Sequence, residues 1–132
     1  YVGVLWGELF GVGDEQAVVV NEVAPRPHNS GHHKLDAWAA DEVQQQRRMM
    51  CGMPPTDTRL LAPACMANIL GDVWPEQGGA PDWLPLMADT RAHLHQYGKQ
   101  NARAGRKMGH FTVLADNADS AFAAAQALHR TL

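Results

Sequence analysis

A chain of 132 residues is, on length alone, about one domain's worth of protein. Its composition, 45% hydrophobic and 19% charged, excludes a disordered chain or a coiled coil, and its formal charge of −3 gives no reason to expect nucleic acid or an anionic membrane as partner. Cys51 and Cys65 are too few for a disulfide scaffold and fit a reducing cytoplasm, and no apolar run or basic leader predicts a membrane span or a signal peptide.

In chain order, Tyr1 to Phe10 is apolar and rich in β-formers, GVGDEQ over Gly11 to Gln16 is turn chemistry, and AVVVNEVA over Ala17 to Ala24 is strand-like. Two such runs around a Gly/Asp loop predict a β-hairpin. PRPHNSGHH, Pro25 to His33, holds two prolines and cannot be a regular helix or a central strand; so polar a loop points to function. Asp36 to Cys51 predicts a helix that packs through Leu35, Trp38, Ala39, Val43, Met49 and Met50, with Gly52 as its stop. Met53 to Pro63 is a Pro-containing linker and the expected domain boundary, dividing the chain into residues 1–52 and 53–132.

Beyond the linker, Ala64 to Leu70 predicts a strand and Asp82 to Ala88 a short helix capped by Asp82. Ala92 to Tyr97 and His110 to Ala115 predict two more strands. Ala118 to Leu132 predicts a terminal helix with Phe122, Ala125, Leu128 and Leu132 on one stripe. The expected fold class is mixed α+β. A two-stranded hairpin with one helix is marginal in water, so the N-terminal segment must pack on the rest of the chain or on something beyond it.

Glu8 and Glu22 interrupt the two apolar strands of the hairpin. If Phe10 faces Val20 and Val12 faces Val18, Glu8 lies directly opposite Glu22 on one face. A register shifted by one residue puts Asn21 there and turns Glu22 away. Opposed Cβ atoms stand about 4.5–5.5 Å apart, where two bare carboxylates repel. A hard divalent cation such as magnesium turns that repulsion into a binding site, especially where phosphates supply further oxygens. A solvated acid pair on an ordinary hairpin is the alternative.

Arg26, just past the second strand, is placed to hold a small planar anion in bidentate fashion. His28, His32 and His33 invite zinc, but they sit on a Pro/Gly loop without helical spacing and without a completing thiolate or carboxylate. A phosphate- or carboxylate-binding loop fits better. Farther on, RAGRKMGH from Arg103 to His110 clusters three strong cations, with Lys99 nearby and glycines that let backbone approach a ligand. That suits a phosphate or sugar phosphate. No aromatic residues interleave with these cations, which argues against a single-strand nucleic-acid platform. A solvated charge run is the other reading.

Three strings, NEVAPRPHNSGHH from Asn21, ACMANILGDVW from Ala64 and HLHQYGKQNARAGRKMGHFTVL from His93, resemble the 5-(carboxyamino)imidazole ribonucleotide synthases. These are ATP-grasp enzymes of bacterial and fungal purine biosynthesis, and the resemblance runs from Val2 to Ala115. It implies the C-terminal edge of an ATP-grasp domain, hairpin plus helix, followed by a small mixed C-terminal domain. It further implies an ATP-dependent ligase: ATP phosphorylates bicarbonate to carboxyphosphate, and the carbon dioxide equivalent passes to the exocyclic amine of 5-aminoimidazole ribonucleotide.

On that resemblance, Glu8 and Glu22 hold the magnesium ions bridging the ATP phosphates, and Asn21 and Glu22 belong to the nucleotide site. Arg26 orients bicarbonate or carboxyphosphate, with His28 beside it. Lys99, Arg106 and Lys107 line the ribonucleotide pocket and grip its phosphate. A cytoplasmic homodimer with small-molecule substrates is implied as well. Two departures stand out: Ala104 replaces the family's usual proline, and Ala39 to Gln44 replaces its Thr-Ser-Gln-Phe-Glu. Family members are far longer, so the opening Tyr1 reads as a cut edge, and these 132 residues are expected to lack the adenine pocket and to be inactive alone. A non-catalytic sugar-phosphate-binding module is the competing expectation.

Overall fold

Strands β1 (Trp6–Val12) and β2 (Ala17–Ala24) pair antiparallel as the expected hairpin. The computed structural model describes residues 1–13 and 17–132, so Asp14, Glu15 and Gln16 of the predicted turn lie outside the described residues. The register agrees with expectation at the open end, where Trp6 faces Ala24 and Glu8 faces Glu22. It then shifts: Leu9 faces Val20, Phe10 faces Val19 and Val12 faces Ala17. The uniform register that put Phe10 against Val20 and Val12 against Val18 is therefore corrected. Asn21 is the extra residue of a β-bulge, which bends the strand and increases its twist. Leu9, Phe10, Val18 and Val20 are all exposed.

The one helix predicted over Asp36 to Cys51 is two. Helix α1 (Lys34–Ala37) ends at Trp38, whose backbone is extended at φ −124° and ψ 155°. Helix α2 (Glu42–Met50) starts afresh from Asp41, whose carboxylate accepts the Gln44 N–H at 2.9 Å. That bond satisfies one of the donors a helix start leaves orphaned, so a new helix begins where the old one stops. The buried face changes accordingly. Ala37, Ala40, Glu42 and Gln45 are buried, whereas Leu35, Val43 and Met50 are exposed.

The stop at Gly52 is as expected: its N–H donates to Met49 O at 3.1 Å and the Met53 N–H to Arg48 O at 2.9 Å, a Schellman motif. Gln45 then ties the following segment down, accepting the Thr56 N–H at 3.1 Å and donating to Thr56 O at 3.0 Å. Tyr1 Oη donates to Pro25 O at 2.7 Å, and the Val4 N–H donates to Gln46 Oε1 at 2.6 Å, linking the base of the hairpin to the loop and to α2. These contacts gather Tyr1–Arg59 into one compact unit; Leu60–Leu132 form a second.

The second unit is a three-stranded antiparallel sheet, β3 (Ala64–Leu70), β5 (Lys107–Leu114) and β4 (Ala92–Gln96), with β5 in the centre. Helices α3 (Leu84–Ala88) and α4 (Ala118–His129) pack with it around Ile69, Leu86, Phe111, Val113 and Ala125. Each large apolar side chain so buried contributes about 1.5–3 kcal/mol. Asp82 accepts the Leu84 N–H at 2.9 Å, so it serves the helix start as expected, although α3 begins two residues later. On α4 the expected stripe holds at Ala125, Leu128 and Leu132, which pack on the core, but not at Phe122, which is 56% exposed while the neighbouring Ala121 is buried in its place.

Central β5 is buried on both faces, and the alternation of its side chains gives each face its character. Phe111 and Val113 enter the apolar core, while His110 and Thr112 occupy the other face. His110 is 1% exposed; it stacks on His95 with ring centroids 4.6 Å apart and shares a 2.9 Å hydrogen bond with Tyr97 Oη through Nδ1. Burial pushes the Cys65 thiol of β3 up from its ordinary pKa. Among the described residues, no helix is long and apolar enough to cross a membrane.

Candidate functional site

The hairpin and the loop after it bring one group of predicted residues together. Glu8, Glu22 and His28 each offer a ligand atom, and these atoms lie within 4.8 Å of one another. Glu22 Oε1 is 3.8 Å from His28 Nε2 and 3.9 Å from Arg26 Nη2. Asn21, in the bulge, is exposed beside Glu22. His28 Nδ1 lies 2.9 Å from Ser30 Oγ and 3.4 Å from the Ser30 backbone nitrogen, while Nε2 is the ring atom that faces Glu22. Arg26 also donates to Pro27 O at 3.0 Å.

The donor chemistry fits a hard divalent cation. Two carboxylates face one another from opposed strand positions, and half of the Glu22 side chain, 48%, is open to further oxygen ligands. The three-histidine grouping that invited zinc is not what the fold assembles. Among the described residues of the first unit, His28 joins the two carboxylates, and His33 Nδ1 instead donates to Ser30 O at 3.0 Å.

Several residues that sequence reasoning passed over hold this loop. Glu42 accepts the His28 N–H at 3.0 Å and a Lys34 Nζ–H at 2.8 Å. Trp6 stacks on His28 with centroids 5.7 Å apart and planes 15° apart. The sequence signal for Glu42 was its place at the first turn of a helix capped by Asp41, an Asp-x-x-Gln pattern that also marks the helix break.

The second group lies in the second unit. Lys99 Nζ donates to Lys107 O and lies 5.3 Å from the Tyr97 ring centre. Arg106 Nη1 donates to Asn101 O at 2.6 Å, so its guanidinium closes the loop it sits on. Strand β5 begins at Lys107 rather than His110, and Met108 is the extra residue of a second bulge, between the pairs Leu70–Lys107 and Ile69–Gly109. The loop is latched at its far side as well. The Gly105 N–H donates to Asp72 Oδ2 at 2.7 Å, and a Cβ on Gly71 would stand 2.1 Å from Arg103 O. Only glycine lets the two backbones approach so closely. A polar cleft of about 450 Å³ opens here, between Gly71–Gly79 and Gln100–Ala104.

Residues 1–42 match the ATP-grasp domain, and residues 64–124 match the phosphoribosylaminoimidazole carboxylase C-terminal domain. An N5-carboxyaminoimidazole ribonucleotide synthase of Synechococcus elongatus is 43% identical over 128 residues, which is 96% of this chain and 32% of that protein. The chain belongs to the N5-carboxyaminoimidazole ribonucleotide synthase family. The crystal structure of the synthetase from Thermotoga maritima superimposes with a TM-score of 0.86 at 36% identity, covering 98% of this chain and 36% of that one. The Aspergillus clavatus synthase in complex with ADP and 5-aminoimidazole ribonucleotide gives 0.77 at 32% identity, over 98% of this chain and 34% of its own. The chain thus spans about a third of the length of the synthases it matches. Glu8, Glu22, Arg26 and His28 fall in the stretch matched to the ATP-grasp domain, and Lys99, Arg106 and Lys107 in the stretch matched to the C-terminal domain.

Proposed function

We infer that this chain serves the ATP-dependent carboxylation of 5-aminoimidazole ribonucleotide, residues 1–52 contributing to the ATP-grasp site and residues 53–132 to the ribonucleotide site. The observation that carries this reading is the juxtaposition of Glu8, Glu22 and His28 within 4.8 Å on a hairpin that matches the ATP-grasp domain. Glu8 and Glu22, with Asn21 beside them, would hold magnesium, which when bound neutralises charge on the ATP phosphates. Arg26 orients bicarbonate, a planar anion suited to a guanidinium fork. A bicarbonate oxygen attacks the terminal phosphorus of ATP and ADP leaves, giving carboxyphosphate. The exocyclic amine of the ribonucleotide then takes the carboxyl group, and phosphate leaves. His28, beside Glu22, faces the reacting anion.

Little covalent chemistry falls to the protein in such a transfer; positioning and charge carry it. Lys99, Arg106 and Lys107 bind the ribonucleotide phosphate on a loop whose backbone is fixed at Gly71 and Asp72. The protein acts as a homodimer in the cytoplasm on this reading.

The test joins this chain behind the N-terminal part of the Thermotoga maritima synthetase and measures ATP hydrolysis dependent on 5-aminoimidazole ribonucleotide. The chimera is expected to turn over, and Glu22→Gln and Lys107→Ala each to abolish turnover. A folded chimera that binds the ribonucleotide but leaves ATP intact would favour the sugar-phosphate-binding module instead.

A further inference from the structure

Glu42 is 7% exposed, and a carboxylate so deeply placed is costly unless its oxygens are occupied. Both are. Oε2 accepts the His28 N–H at 3.0 Å and Oε1 accepts from Lys34 Nζ at 2.8 Å. The Lys34 ammonium in turn lies 5.0 Å from the Trp6 ring centre and 5.1 Å from that of Trp38, each within cation–π range. Trp6 then stacks on the His28 ring. The contacts form a closed circuit: Glu42 to the His28 backbone, the His28 ring to Trp6, Trp6 to Lys34, and Lys34 back to Glu42.

The loop is shaped around this carboxylate. A Cβ on Gly31 would stand 2.0 Å from Glu42 Oε1, so the backbone at Gly31 passes directly over it. His28 is held at both ends, by its backbone N–H and by its ring, and its Nε2 faces Glu22 at 3.8 Å. An ordered loop delivers its ring to the site without losing freedom at the moment of reaction.

We propose that Glu42 is a positioning residue, acting through the His28 N–H and Lys34 to hold the His28 ring over the Glu8–Glu22 pair. The functional meaning of that position rests on the reading given above; the mechanical claim does not. The effect of Glu42 passes through two donors, the His28 N–H and Lys34 Nζ, each bonded to a different oxygen of its carboxylate.

The experiment is nuclear magnetic resonance on the 132-residue chain and its Glu42→Ala and Glu42→Gln variants. Three readouts are followed: hydrogen exchange of the His28 amide, the nuclear Overhauser contact between the His28 and Trp6 rings, and the ring-current shift of the Lys34 methylenes. In Glu42→Ala the His28 amide is expected to exchange about tenfold or more faster and the ring contact to vanish. Amides of β3 and β5 should keep their protection. Glu42→Gln preserves shape and one acceptor oxygen but presents an amide NH₂ to Lys34. It is expected to keep the His28 amide protected and to lose the Lys34 shift. A Glu42→Ala protein with the ring contact intact, or a Glu42→Gln protein with Lys34 unmoved, overturns the proposal. Manganese added to the wild-type chain tests the cation reading by itself. Failure to broaden the Glu8 and Glu22 amides counts against the cation reading alone, because the role of Glu42 is read from the exchange, ring-contact and Lys34 measurements.

Discussion

Glu8 and Glu22 form the last uniformly registered pair of the hairpin before Asn21 interrupts it. Like charges directly opposed across a ladder destabilise it by about 0.2–1 kcal/mol, and the neighbouring Arg26, 3.9 Å from Glu22, reduces that repulsion without removing it. Glu8→Gln is therefore expected to raise the urea midpoint slightly in buffer free of divalent ions, and to weaken magnesium or manganese binding by about tenfold or more. Urea unfolding with and without magnesium checks both signs. A variant less stable than the parent in metal-free buffer would contradict the repulsion.

The approach of Gly71 to Arg103 makes a second prediction. The atom that an added Cβ would meet is backbone, which cannot swing aside as a side-chain tip can. Gly71→Ala is expected to cost about 1–3 kcal/mol and to loosen the loop that carries Arg106 and Lys107. Asp72→Ala removes the acceptor of the Gly105 N–H and should cost about 0.5–1.5 kcal/mol. Chemical denaturation gives the stabilities, and calorimetry with 5-aminoimidazole ribonucleotide reports the loop.

Acid stability should carry a mark of Asp89. Its carboxylate accepts from Arg91 Nη2 at 2.7 Å, from Arg91 Nε at 3.0 Å and from the Arg91 N–H at 3.0 Å. The Arg91 guanidinium bonds first, then its backbone N–H, hold this carboxyl down from 3.8 to about 2. A group depressed in the folded state stabilises above its unfolded pKa and loses that contribution as pH falls through the folded one. Asp89 therefore helps fully above about pH 4 and not at all below about pH 2. Asp89→Asn should lower the melting temperature at neutral pH and leave it unchanged at the acid end. Melting curves across that range decide the matter.

The two thiols should differ in reactivity. Cys51 is exposed at the end of α2, whereas Cys65 is partly buried with its pKa raised by desolvation, so less of it is thiolate. Mass spectrometry after brief alkylation at mildly alkaline pH is expected to find Cys51 modified first. Equal labelling in the folded chain would show that β3 opens on the timescale of the reaction.

Alternation and turn chemistry are local, and they were enough to mark the hairpin and most of the order of the elements, but they left the pairing of Glu8 with Glu22 as one of two registers between which the ladder itself chose. They also marked PRPHNSGHH and RAGRKMGH as loops rich in anion-binding groups. The Asp41 cap was legible too, as an acid three residues before Gln44, but a rough 3.6-residue period hid the break it makes. The apolar stripe that periodicity chose for α2 failed because Glu42 and Gln45 have partners that repay their burial, in His28, Lys34 and Thr56. Those partners are distant enough along the chain that no local pattern announces them.

Only the tertiary structure decided where the ladders slip. The two bulges, at Asn21 and Met108, fall next to Glu22 and Lys107, one beside each group of candidate residues. A bulge turns the side chains that follow it relative to those opposite, and whether one forms depends on the pairing of two strands rather than on either strand's own sequence. What the sequence determined by itself is which residues carry the chemistry and on which segments. The structure decided how they are aimed, because orientation comes from ladder register, from a helix restart and from a buried carboxylate, all set by contacts between segments.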